Sequence, residues 1–287
     1  MAVKDAAGRA DLHTHTTASD GTGSPADNVR LAREAGLAAV AITDHDTTAG
    51  IEEALAEGAR LGIRVVPGVE LSTMEDGLEI HVLGYFLDWR GERWQERLRS
   101  QRDARNRRNL LIIERLNALG MPIRMEEVER AAAGLAPGRS IGRPHIAAVM
   151  VEKGYVASRA EAFDRFLGSE GAAYVRVPRP TPREAVQWIH EAGGAAVIAH
   201  PGLYGRDELV EALLREGADG IEARHADHSP EDEARYAAMA DRCGVIATAG
   251  SDYHGARGGE IFHGPLGSRT VDAAVVDLLE AASRKYR

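Results

Sequence analysis

Ala10-Asp11-Leu12-His13-Thr14-His15 is a short apolar run that ends in chemically capable side chains. The same form returns along the chain. Ala38 to Asp46 closes on Thr43-Asp44-His45-Asp46, and Ile63 to Glu70 closes on Pro67-Gly68-Val69-Glu70. Glu79-Ile80-His81-Val82-Leu83-Gly84-Tyr85 carries its histidine inside the run. Ala195 to His200-Pro201, Gly220-Ile221-Glu222-Ala223-Arg224-His225 and Val245 to Asp252-Tyr253-His254 complete seven predicted strands. Helical patterns separate most of them. Ser24-Pro25 opens one that runs to Glu34, before Gly36, and Ile51 to Leu61 is closed by Gly62. Thr181-Pro182 opens a third, with Ala185, Val186 and Ile189 on one face before Gly193-Gly194; Asp207 to Glu216 and Pro230 to Arg242 repeat the theme. Strands alternating with helices predict an α/β fold with a parallel sheet, and short strands apolar on both faces fit a barrel.

The rhythm breaks over residues 97–178. Glu96 to Leu119 is one long Arg-rich helical pattern ending at Gly120. Glu126 to Ala133, Ile146 to Lys153 and Arg159 to Leu167 read as shorter helices, and strand-like alternation returns only at Tyr174-Val175-Arg176-Val177. The expectation is a helical insertion (97–178) between strands 4 and 5 of a barrel built from 9–96 and 179–287. The chain ends read as short and frayed.

Composition narrows the function. The 287 residues are 44% apolar and 28% charged, the balance of a globular protein rather than a disordered one. The longest apolar run, Leu37 to Ile42, is far shorter than the ~20 residues of a membrane span. Met1 to Asp5 has no apolar stretch of the secretory kind, so the cytoplasm is the expected compartment. A single cysteine, Cys243, excludes an intrachain disulfide and a thiolate-rich metal site. A net charge of −9 argues against generic binding to a long polyanion, while leaving room for a local basic patch. Only Lys4, Lys153 and Lys285 among the 35 basic residues are lysines, and arginine suits bidentate phosphate contact.

In parallel α/β folds the reactive face lies at the C-terminal ends of the strands. His13, His15, His45, Glu70, His81, His200, Asp252 and His254 should therefore converge, with Asp20 of Ser19-Asp20-Gly21 in the loop after the first strand. Taken singly, each has a plainer reading. Asp20 would be a turn residue, and Asp46, Thr47 or Thr48 a helix N-cap before Ile51. His81 and His200 would be satisfied core histidines. Those readings would all have to hold together, and a buried unpaired Glu70 would be costly. Nine mixed nitrogen and oxygen donors exceed the four of one tetrahedral ion. They predict two or three divalent cations bridged by Glu70, with manganese favoured and zinc or iron also suited by this ligand mix. Such clusters activate water and clamp the oxygens of a displacement at phosphorus.

Asp11-x-His13-x-His15, Thr43-Asp44-His45-Asp46, Pro67-Gly68-Val69-Glu70, His81, Ala199-His200-Pro201 and Ser251-Asp252-x-His254 together resemble the PHP (polymerase and histidinol phosphatase) family. The resemblance implies a distorted (β/α)7 barrel and a trinuclear metal centre. It implies one metal on His13, His15, Glu70 and Asp252, a second on Glu70, His81 and His200, and a third on Asp20, His45 and His254. Gly142-Arg143-Pro144-His145-Ile146-Ala147 resembles the subgroup of nucleoside 3′,5′-bisphosphate phosphatases, some of which trim RNA from the 5′ end. There Arg143 would clamp substrate phosphate, with His145 beside it; the local alternative is a helix start with Arg143 solvated.

The implied activity is removal of the 3′-phosphate by a metal-bridged hydroxide, with Glu70, Asp252 and His254 at the chemistry. A small phosphorylated nucleotide is the expected substrate, and no membrane or obligate protein partner is expected. A short RNA, cut as by a 5′→3′ exoribonuclease, and histidinol phosphate are the alternatives. Arg97, Arg99, Arg102, Arg105, Arg107 and Arg108 read mainly as a solvated helix face, and otherwise as an electropositive funnel. His190 reads as a surface residue. His228 and His263 have no assigned role, and His225, at a strand end, could reach the leaving group or ribose.

Overall fold

A computed structural model of the chain describes residues 8–132, 140–257 and 260–287. The first residues, read above for a leader, and Ala133, read above as a helix end, lie outside them. The seven expected strands form as β1 (Arg9–Asp11), β2 (Ala39–Ile42), β3 (Arg64–Glu75), β4 (Leu78–Tyr85), β5 (Ala195–Ile198), β6 (Gly220–His225) and β7 (Ile246–Gly250). A small hairpin of β8 (Ala256–Arg257) and β9 (Glu260–Ile261) stands apart, and β10 (Val271–Asp272) joins the main sheet beside β1. The order is β10-β1-β2-β3-β4-β5-β6-β7. The Leu12 N–H donates to the Ala249 carbonyl at 3.0 Å and Thr14 bridges to Tyr253, so β1 and β7 draw the sheet into a nearly closed, distorted (β/α)7 barrel.

The sheet is not parallel throughout: β10 runs antiparallel to β1, and a second reversal matters for function. β4 runs antiparallel to both β3 and β5. The cause is local: Asp76 and Gly77, at φ 49° and 85°, form a two-residue turn between Glu75 and Leu78. A turn with positive φ at both central positions matches strand twist and favours Asp-Gly. Reversal puts the start of β4, rather than its end, at the mouth formed by the C-terminal ends of the strands that run parallel to one another. His81 therefore sits level with Ser72 near the beginning of its strand.

The helices are α1 (Pro25–Glu34), α2 (Ile51–Leu61), α3 (Glu92–Ala118), α4 (Met125–Ala131), α5 (Arg143–Glu152), α6 (Arg159–Ala162), α7 (Pro182–Glu191), α8 (Asp207–Arg215), α9 (Pro230–Cys243) and α10 (Ala274–Ser283). Ser24, Thr181 and Ser229 each cap a helix whose first residue is proline, accepting from the N–H of Asp27, Glu184 and Asp232. Each such cap is worth about 1 kcal/mol. Alanines line much of the barrel interior (Ala10, Ala39, Ala41, Ala195 and Ala199), and α10 packs Val276, Leu279 and Ala282 onto them. The C-terminus is thus a docked helix, not the frayed end expected.

The segment between β4 and β5 is helical and has its own apolar cluster, including Ile112, Leu116, Ile146, Met150 and Leu167. Trp94 and Leu98, at the start of α3, pack instead with the barrel. α6 continues into a π-helical turn, Phe163–Leu167. Tyr174 to Val177 is no strand; the Tyr174 carbonyl is taken by the Arg115 guanidinium instead of a neighbouring chain. Among the described residues, no helix is long and apolar enough to cross a membrane.

Candidate metal centre

Glu70 on β3 is buried amid imidazoles. Its Oε2 lies 3.4 Å from His13 Nε2, 3.2 Å from His15 Nε2 and 2.9 Å from His45 Nδ1. Its Oε1 lies 2.7 Å from His81 Nδ1 and 3.0 Å from His200 Nε2. Asp252 Oδ1 is 3.3 Å from His13 Nε2 and 3.0 Å from His15 Nε2. Asp20 faces His254 Nε2 at 3.4 Å and His45 Nε2 at 3.9 Å. The fold therefore brings all nine expected donors to one mouth.

The arrangement fits divalent cations on its own chemistry. The Nε2 atoms of His13 and His15 face each other at 3.1 Å, where no more than one proton can sit between them. Outer partners hold several rings so that the other nitrogen turns inward. His13 Nδ1 meets Glu222 at 3.0 Å, His200 Nδ1 meets the Tyr204 hydroxyl at 3.1 Å, and His254 Nδ1 donates to the Asp252 carbonyl at 2.8 Å. Such partners are the usual means of orienting metal-binding imidazoles. Glu70 Oε2, Asp252 Oδ1 and both nitrogens of His81 are buried without a hydrogen bond, a costly state that a bound cation relieves.

The electrostatics point the same way. Burial opposes ionisation of Glu70, yet His81, His45 and His13 hold it well below the usual carboxylate range. Burial also lowers His81, but Glu70 and Glu79 overcome it and hold the ring at about 10. His200, where burial wins, falls to about 4.

Loops are pinned to deliver these groups. Asp44 accepts from the Thr16 N–H at 2.8 Å, the Thr16 hydroxyl at 2.7 Å and the Ser19 hydroxyl at 2.6 Å, which fixes the loop that carries Asp20. Asp11 accepts from the N–H groups of Ser251 at 3.0 Å and Gly267 at 2.8 Å, tying β1 to the loop that carries Asp252. Asp46, His200, Asp252 and His263 all have positive φ, between 24° and 59°, a clustering of backbone strain typical of functional sites.

Several expectations need correction. Neither Asp46, Thr47 nor Thr48 caps α2, whose N-cap is Gly50. Asp46 instead ion-pairs with Arg105 and accepts from the Ser72 N–H at 2.9 Å. The Arg run on α3 is not uniformly solvated: Arg99 and Arg107 are exposed, but Arg105 and Arg108 are buried and face the mouth. Arg143 reaches Glu79 at 2.5 Å and lines the cavity beside the carboxylates. His145 does not line it; its ring is buried and its Nδ1 accepts from the Gly142 N–H at 3.1 Å, so it serves the start of α5. His190 is held by Asp219 at 2.9 Å and stacks on Tyr286. His228 is buried, its Nε2 accepting from the Gly202 N–H at 3.1 Å. His225 and His263 each approach Asp252 Oδ2 at 3.4 Å.

The sequence reading gave no role to Glu222 or Arg179, and it read Arg105 and Arg108 mainly as solvated. Among the described residues, Arg105, Arg108, Arg143 and Arg179 share two carboxylates as ion-pair partners, Asp46 and Glu79. Arg108 is the least compensated: 4.0 Å from Glu79, its Nε has no hydrogen bond. Burial, then its neighbours Arg179 and Arg143, push its pKa well below the ordinary guanidinium value. Arg105, Arg108 and Arg143 line a cavity of about 200 Å³ together with Glu70, His45, His81 and His200, and Arg179 stands behind them.

The model of the PHP domain family matches residues 11–210. The chain is 38% identical over 251 residues to the 5′-3′ exoribonuclease Rnm of Escherichia coli, covering 85% of this chain and 84% of that protein. It is 35% identical over 265 residues to a 3′,5′-nucleoside bisphosphate phosphatase of Chromobacterium violaceum, covering 88% and 90%. A solved structure from Bifidobacterium adolescentis, described as a metal-dependent phosphoesterase, superposes with a TM-score of 0.86 at 33% identity and covers 95% of this chain and 96% of that one. The chain belongs to the PHP domain family and is a metal-dependent phosphoesterase, a hydrolase of phosphoester bonds.

Proposed function

We propose that the chain is a cytoplasmic phosphatase that removes the 3′-phosphate of nucleoside 3′,5′-bisphosphates. The observation that carries this reading is the arginine cluster beside the carboxylate and imidazole site: four guanidiniums against two carboxylates. A monoester offers the site one phosphate; a bisphosphate offers a second, non-reacting one to satisfy Arg108 and Arg143, which line the cavity. Binding energy from that remote group orients the reacting phosphate and sets specificity.

His13, His15, Glu70 and Asp252 would hold one divalent ion, Glu70, His81 and His200 a second, and Asp20, His45 and His254 a third, with manganese the favoured metal. Such ions supply water of lowered pKa and positive charge for the phosphoryl oxygens. The protein holds the reacting phosphate near Glu70, Asp252 and His254, and holds the other phosphate at the arginines. Glu222 and Tyr204 keep His13 and His200 in register from behind.

The test is phosphate release with Mn²⁺ from adenosine 3′,5′-bisphosphate, adenosine 3′-monophosphate, histidinol phosphate and a short 5′-phosphorylated RNA. The bisphosphate is expected to turn over fastest. Arg143→Ala and Arg108→Ala should each lower kcat/KM on it by roughly 10- to 100-fold, the loss of a charge-assisted bond. The 3′-monophosphate should be far less affected. Equal losses on both substrates would remove the arginines' role. Faster turnover of the RNA would move the function to that of the exoribonuclease relative.

A further inference from the structure

A second cavity, of about 320 Å³, opens beside the first and shares Asp20, Pro144, Phe163, His254 and His263 with it. Away from that shared rim its walls are Ala160, Phe262 and the Arg159 side chain. The metal-site mouth thus continues directly into a mostly apolar chamber with two half-buried phenylalanines.

Both rings are placed with some structural effort. Phe163 is the first residue of the π-helical turn, an irregularity that recurs at functional sites. Phe262 follows the β8–β9 hairpin. Each ring carries a cation: the guanidinium of Arg143 lies 5.7 Å from the Phe163 ring centre, and that of Arg159 lies 5.3 Å from the Phe262 ring centre. A flat, weakly polar group covalently joined to a phosphate would fill this chamber while its ester sat at Glu70.

We infer that Phe163 and Phe262 form a stacking platform for the substrate's nucleobase, which the site accepts with little regard to base identity. The inference rests on the proposed nucleotide reading and adds how the base is held. No asparagine, glutamine, serine or threonine is among the described residues lining the chamber. Asp20 and His254 at its rim already face the candidate metal site. Among the described residues, the one polar side chain confined to the chamber is that of Arg159, whose guanidinium is engaged over the Phe262 ring, whereas every base offers a face to an aromatic ring. Purines, with the larger face, gain more than pyrimidines.

The test compares adenosine and uridine 3′,5′-bisphosphates with base-free ribose 3,5-bisphosphate, in the wild type and in Phe163→Ala/Phe262→Ala. A parallel arm measures equilibrium binding of adenosine 5′-monophosphate and ribose 5-phosphate to the same proteins. Phe262→Ala alone serves if thermal melts show the double variant unfolded. The wild type should favour both nucleoside compounds over the base-free one by roughly 10-fold, with adenosine ahead of uridine by only about threefold. The variants should bring the nucleoside compounds down to the base-free level. Equal treatment of nucleoside and base-free compounds by the wild type would overturn the inference, as would a preference that survives in the variants or a parallel fall for both. Absence of phosphate release from any bisphosphate would sink the proposed function alone. The binding arm would then decide: a preference for adenosine 5′-monophosphate that the variants lose supports the platform, and equal affinity overturns it.

Discussion

Glu70→Gln should lower phosphoesterase activity by roughly 10²- to 10³-fold or more and reduce the divalent metal retained after dialysis. The substitution keeps size and removes charge at the point where five imidazoles meet. Breaking a buried charge pair by neutralising one partner costs about 3–5 kcal/mol, and each ~1.4 kcal/mol is tenfold in rate or affinity. The metal-free protein carries a pH signature of the same interaction. His81 rises from 6.5 to about 10, chiefly against burial and through Glu70. A group raised on folding contributes stability that is full below its unfolded value and fades as pH climbs through its folded one. Glu70→Gln should therefore cost the metal-free protein more stability at pH 6 than at pH 10, measured by denaturant unfolding. A wild-type metal content, or a cost independent of pH, would show that Glu70 does not organise the cluster.

Gly250→Ala should disable the site without touching any donor. A Cβ on Gly250 would lie 2.2 Å from His13 Cβ, 2.7 Å from His13 N and 2.8 Å from Glu222 Oε1. Two of those atoms belong to a ring anchor and its backbone, so neither can swing aside as a flexible side-chain tip would. Either β7 parts from β1 or His13 leaves its place between Glu222 and Glu70. Overpacking of this kind costs about 1–3 kcal/mol or more, or on the order of 2–10 °C in Tm for a domain this size. A displacement near 1 Å at the chemistry costs on the order of 10²-fold in rate. Thermal melts and steady-state kinetics check both, and unchanged kinetics would mean that the β1–β7 contact does not position His13.

The donor set was legible because each residue stands where an apolar run ends, and strand ends in such folds share one face. What the runs could not show was direction. β4 is reversed by Asp76-Gly77, a hairpin signal present in the sequence but hidden by the expectation of uniform crossovers. Glu222 was also readable in principle: a carboxylate between Ile221 and Ala223 in an apolar strand raises the same question of a partner as Glu70. Arg105 and Arg108 are the more instructive miss. Buried Trp94, Leu98, Gln101, Arg105, Arg108 and Ile112 follow the alternating three- and four-residue spacing of one helix face. The charge of the run concealed that two of its arginines occupy the apolar stripe. α10 escaped because its Val276 and Leu279 face a barrel interior that only the closed sheet creates.

The most direct test of the account is to locate the ions. Crystals of active protein grown with Mn²⁺ would be measured on both sides of the manganese absorption edge. Anomalous peaks are expected among His13, His15, Glu70 and Asp252 and among Glu70, His81 and His200, with a third beside Asp20, His45 and His254 if three ions bind. Active crystals with no anomalous density within coordinating reach of Glu70 would contradict it.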